Sequence, residues 1–264
     1  MKRTVIIGID GSGPSNAALL WGTRWAAALD DPVLLVHVLD GEWGQAGPDV
    51  EVEERHEAAE LLADSTRRVA KIAPSLAVEE RMEEGSAAHQ LAAQAGPDDL
   101  LVVGTHKTGY IRGRVLGTRS IVVATVAPCS VAVIPENWVS SRSGVLVGVA
   151  SGPGWATAVK IAAAEATRRG QNLTLVHALS GGPAERDGGR ALLAEAVRCA
   201  LSVAPDLPVT SRVSERGASE TLLDASRTAG LLVLGESRRP HSDMLGSVTH
   251  DVLLNINSPV LIAR

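Results

Sequence analysis

A chain of 264 residues with 45% hydrophobic and 21% charged side chains is long enough for two domains of about 130 residues, each able to bury a core unaided. The net charge of −5 lacks the basic footprint of a protein that coats nucleic acid, so no nucleic-acid partner is expected. Cys129 and Cys199 form neither a CxxC nor a Cys/His metal spacing, and the apolar run after Met1-Lys2-Arg3 is too short for a signal core or a membrane span; a cytoplasmic, membrane-free protein is the expectation.

Phe is absent, with one Tyr and five Trp, so the core must be aliphatic. In chain order, apolar runs over Thr4 to Ile9, Val33 to Val38, Ala77 to Met82, Asp99 to Val103 and Ser130 to Ile134 read as buried strands of a parallel sheet covered on both faces. Helical patterns lie between them. Pro14 to Leu29 has Pro in its first turn and places Ala17, Leu20, Trp21 and Trp25 on one face. Val50 to Ile72 is stopped by Pro74, Ser86 to Ala95 ends at Gly96-Pro97, and a last helix runs from near Thr118 to before Pro128.

The pattern then repeats. Val5-Ile6-Ile7-Gly8-Ile9-Asp10 returns as Val145-Leu146-Val147-Gly148-Val149-Ala150, and Val33 to Val38 returns as Leu173 to Ala178, both offset by 140 residues. Strands follow at Val209 to Val213, Leu231 to Leu234 and Val260 to Ala263, with a long helix from Ala184 to Val203. Pro135 to Ser143 is a polar linker. The fold class is therefore α/β: two tandem doubly wound domains, residues 1–137 and 144–264, each with a five-stranded parallel sheet of order 3-2-1-4-5 flanked by helices.

In such sheets ligands bind beyond the carboxyl ends of the strands, where the strand order reverses, which for this order lies between the first and fourth strands. Asp10 and Gly104 stand at those two ends, so Asp10 to Ser15, including Gly11 and Ser12, faces the segment from Gly104 to Thr118 across one crevice. That segment holds four glycines and runs into a helix start, a place where bare backbone and free N–H groups suit phosphate oxygens. Lys107, Arg112, Arg114 and Arg119 add positive charge.

These residues resemble the universal stress protein family in its tandem form. The family pattern G-x2-G-x9-G-(S/T) is matched by Gly104 and by Gly117-Thr118, with Lys107 at the second glycine. Asp10 in its turn, His37-Val38 ending the second strand and Ala127-Pro128-Cys129 before the fifth add to the likeness, which spans the chain once per repeat. The resemblance implies a stress-response binding protein that takes ATP or a related adenine nucleotide, with or without Mg. Asp10 and Val38 then hold the adenosine, and Gly104, Gly117 and Thr118 the ribose and phosphates. Lys107 either crowds the ligand or reaches a phosphate as a point charge.

The second copy departs further. Its Gly235 to Ser247 segment is two residues shorter between the outer glycines, carries Arg238 and Pro240, and follows Ala150 and Ala178 in place of Asp10 and Val38. Weak or absent nucleotide binding is expected there, with pairing to the first copy through the fifth strands as its role, and homodimerisation and other protein partners left open. Two alternatives stand beside this reading: an interaction module without nucleotide, and a slow ATPase or adenylyl-handling enzyme. Neither a Walker A sequence, an HExxH pair nor a GxSxG elbow is present, so no catalytic residue is assigned.

Simpler readings apply to several residues. Asp10-Gly11-Ser12-Gly13 suits an ordinary turn and helix cap, and with Asn16 and Asp40 it faintly matches a dinucleotide fingerprint without its third glycine. His37 and His177 suit a shared structural hydrogen bond, Trp21 and Trp25 a core face, Cys129 a buried small apolar site, and Glu51, Glu53, Glu54, Glu57 and Glu60 a solvated helix face.

Overall fold

The structure is a computed structural model that describes residues 2–39, 48–106, 110–111, 114–115, 118–179, 183–236 and 245–264. The chain divides into two units, Met1–Asn137 and Trp138–Arg264.

Unit 1 runs β1 (Val5–Gly8), α1 (Gly13–Leu29), β2 (Val33–Leu39), α2 (Pro48–Ile72), β3 (Val78–Glu84), α3 (Ala87–Ala93), β4 (Leu100–Thr105), the short strands β5 (Tyr110–Ile111) and β6 (Arg114–Val115), α4 (Thr118–Val126) and β7 (Ser130–Pro135). β1 pairs in parallel with β2 on one side and with β4 on the other, β2 continues to β3, and β4 continues to β7. Strand order thus reverses between β1 and β4, and the carboxyl ends of those two strands open a crevice. The glycine-rich segment is not all loop: Tyr110 faces Val115 and Ile111 faces Arg114 in a small antiparallel ladder.

Sequence accounts for the elements that frame this crevice. Val5, Ile6, Ile7, Leu100, Leu101 and Val102 are 0–1% exposed, as central strands covered on both faces require. α1 begins where the Ser12 side chain accepts the Ser15 backbone N–H at 3.3 Å, has Pro14 in its first turn, and ends at Asp30 with φ 54°. It buries Ala17, Ala18, Leu19, Trp21, Trp25 and Ala26; the two indoles stack at 4.9 Å, and the Arg3 guanidinium lies 6.0 Å from the Trp25 ring centre. Cys129 is fully buried, and Glu51, Glu53, Glu57 and Glu60 are exposed, with Arg55 bridging Glu51 and Glu84.

One strand differs from its expected character. β3 is not a buried apolar strand: Glu79, Glu80 and Arg81 are exposed, because among the described residues of unit 1 it pairs only with β2 and forms a charged edge. Charge on an edge strand discourages pairing with other chains.

Unit 2 repeats the arrangement with β8 (Val145–Gly148), α5 (Trp155–Arg168), β9 (Leu173–Ala178), α6 (Pro183–Val203), β10 (Val209–Ser214), α7 (Ala218–Ser226), β11 (Leu231–Gly235), α8 (Ser247–Asn255) and β12 (Val260–Ala263). β8 lies between β9 and β11, β10 flanks β9, and β12 flanks β11, all in parallel. The registers match unit 1 residue for residue: Val5 faces Val33 as Val145 faces Leu173, and Val5 faces Leu100 as Val145 faces Leu231. Among the described residues no helix is long and apolar enough to cross a membrane.

Candidate functional site

A cleft of about 630 Å³ opens at the carboxyl ends of β1, β2 and β4 in unit 1. Its walls include Asp10, Ser12, Val38, Gly104 and Arg119, so five residues singled out from sequence meet in one place. Gly11 is not among the lining residues; its φ of 76° turns the chain away from β1, a conformation that glycine adopts without strain. Lys107, Gly117, Arg112 and Asp40 lie outside the described residues, as does the second-copy segment 237–244 with Arg238 and Pro240. Thr118 opens α4, but its side chain, like that of Arg114, lies outside them too.

The Asp10 turn is built by its own polar groups. One carboxylate oxygen accepts the Ser12 N–H at 3.0 Å, and the Asp10 N–H donates to Ser15 Oγ at 3.1 Å. The turn and cap chemistry is therefore present, and it leaves the Asp10 side chain exposed at the cleft wall. Gly104 has a packing reason to lack a side chain: a Cβ there would sit 2.3 Å from the Pro14 carbonyl carbon and oxygen, so β4 passes against the first turn of α1. Across the cleft, Ser120 donates to Thr105 Oγ1 at 3.1 Å, and Thr105 donates to the His106 carbonyl at 3.1 Å. This pair of buried hydroxyls ties the first turn of α4 to the end of β4.

Other walls were not singled out from sequence. Gly85, Ser86, Ala87, Ala88 and Leu91 come from the end of β3 and from α3, and Val122 and Val123 from α4. The signal for the first group was available, since Gly85-Ser86 leaves a third parallel strand at the same sheet edge as Asp10. His37 plays the structural part: its Nδ1–H donates to the Ile9 carbonyl at 2.7 Å, and His177 repeats this with Val149 at 2.8 Å.

Unit 2 keeps a cleft of about 510 Å³ at the equivalent ends of β8, β9 and β11, lined in part by Ala150, Ala178, Leu222, Gly235, Ser247 and Val248. Gly235 repeats the close approach of Gly104, with an added Cβ 2.5 Å from the Gly154 carbonyl oxygen. The equivalent of Ser12 is Gly152, and α5 begins at Trp155 without a side-chain cap. Arg216, which stands where unit 1 has Gly85, does not line the cleft; Glu220 and then Asp224 hydrogen-bond its guanidinium and hold it above its ordinary range.

A doubly wound α/β domain occurring twice, each with a crevice at its strand-order reversal, is a fold shared by many binding proteins and enzymes. The model of the universal stress protein family matches residues 1–135 and again 143–264, and the chain belongs to that family. A universal stress protein of Mycolicibacterium smegmatis is 29% identical over 98% of this chain and 96% of its own, and one of Mycobacterium tuberculosis is 28% identical over 100% and 97%. The crystal structure of a universal stress protein from Archaeoglobus fulgidus superposes with a TM-score of 0.78 at 16% identity, covering 99% of this chain and 98% of its own, which shows the shared fold.

Proposed function

We propose that unit 1 binds an adenine nucleotide, ATP in the first instance, in the cleft between β1 and β4, and that the chain serves as a nucleotide-responsive binding protein of the stress response. The observation that carries this reading is the convergence of Asp10, Ser12, Val38, Gly104 and Arg119 on one cleft of about 630 Å³ at the strand-order reversal. Val36, Val38 and Leu91 offer an apolar bed for a base, Asp10 an acceptor for its amine or for ribose hydroxyls, and Arg119 a cation at the start of α4 for phosphate.

Among the described residues no group of three or more His, Cys, Asp or Glu side chains could hold a metal ion. Asp10 is the one carboxylate lining the cleft among them, so magnesium enters this reading only as a companion of the phosphates. Calorimetric titration of the full chain with ATP, with and without magnesium, tests the proposal: a saturable site lost in Asp10→Ala supports it, and no heat of binding in either condition rejects it.

A further inference from the structure

The unit 2 cleft has changed in character without closing. Matching the two units by the registers of the first, second, third and fifth strands and by the starts of α4 and α8, Asp10 corresponds to Ala150, Ser12 to Gly152, Ser86 to Gly217 and Arg119 to Val248. Four polar side chains that line the first cleft thus have apolar or absent counterparts in the second. The described lining of the second cleft holds no Asp, Glu, Lys or Arg; aliphatic walls such as Val149, Ala150, Ala178, Leu222, Leu234 and Val248 predominate, and its polar side chains are Ser247, Thr249 and His177, whose Nδ1–H is committed to the Val149 carbonyl.

Simple decay of a disused site predicts something else. With no ligand to keep room for, larger side chains that fill the space bury more apolar surface and stabilise the domain. Here Val38 is replaced by the smaller Ala178, the cavity stays near 510 Å³, and both the acid and the base of the first cleft give way to aliphatic groups. Apolar walls of that extent hold water poorly, so displacing that water favours an apolar occupant and disfavours a phosphate, whose charges would meet no cation among the described walls.

We infer that the cleft of unit 2 is a binding site for an uncharged, largely apolar small molecule carrying at most a hydroxyl or carbonyl that reaches Ser247 or Thr249. This site is distinct from the nucleotide site proposed for unit 1 and does not depend on that reading.

The test uses the full chain and N-phenyl-1-naphthylamine, a neutral aromatic fluorophore that brightens in apolar surroundings. Wild-type protein should bind it saturably at one site, with the same affinity in the presence of excess ATP and magnesium. Ala150→Asp and Val248→Arg place in unit 2 the side chains that unit 1 carries at the same fold positions, so the backbone accommodates them. Ala218→Phe fills the cavity without adding charge. Each should weaken the probe at least tenfold while far-ultraviolet circular dichroism stays native. Absence of saturable binding, or wild-type affinity in the folded Ala150→Asp and Val248→Arg variants, overturns the inference. If ATP fails to bind anywhere, the reading of unit 1 fails alone, because the three unit 2 variants still decide the location of the probe.

Discussion

At the residue scale, Asp10 and Gly104 show two kinds of legibility. Asp10 was marked in the sequence by its repeat counterpart Ala150, which shows that the turn forms without a carboxylate, and the structure leaves the Asp10 side chain exposed on the cleft wall. Asp10→Ala should therefore weaken nucleotide binding by about tenfold or more, about 1.4 kcal/mol, in calorimetry. It removes only the acceptor of the exposed Ser12 N–H, so its cost in a denaturation curve should be about 1 kcal/mol or less. Gly104 was marked as a phosphate-loop glycine, yet the feature that forbids a side chain is the Pro14 backbone, which no local motif reveals because it belongs to another element. Gly104→Ala should lower stability by about 1–3 kcal/mol whether or not ligand is present, measured as a fall in thermal midpoint.

At the element scale, strands and helices whose burial is uniform or strongly periodic could be read directly, with boundaries shifting by a residue or two. β3 could not, because its Val78, Met82 and neighbouring apolar residues suggest a core strand, whereas its pairing with β2 alone makes Glu79, Glu80 and Arg81 appropriate. The α3 and α4 walls of the cleft were likewise hidden: Ser86, Leu91 and Val122 become neighbours of Asp10 only through the crossovers. α1 is the element on which both core and site depend, since one end presents Ser12 to the cleft and its inner face carries the Trp21–Trp25 stack. Trp21 is 4% exposed and stacks on Trp25, so Trp21→Ala should cost about 3–5 kcal/mol in denaturant unfolding by leaving a cavity where the indole is buried.

At the scale of the whole molecule, the duplication was plain from the offset of 140 residues and from matching strand patterns. The state of the second crevice was not. Ala150 and Ala178 suggest a site worn away, while the structure keeps a cavity of about 510 Å³ whose walls have turned apolar together. A sequence shows which side chains are lost but not whether neighbours move in to fill the room, and that distinction separates a dead site from one of different chemistry.

The two clefts thus predict unequal binding within one chain, and stoichiometry tests this most directly. Titration calorimetry of the 264-residue chain with ATP and magnesium should find a single nucleotide per chain, lost in Asp10→Ala and retained in Ala150→Asp. Two equivalent sites per chain, or a single site that survives Asp10→Ala, would contradict the account.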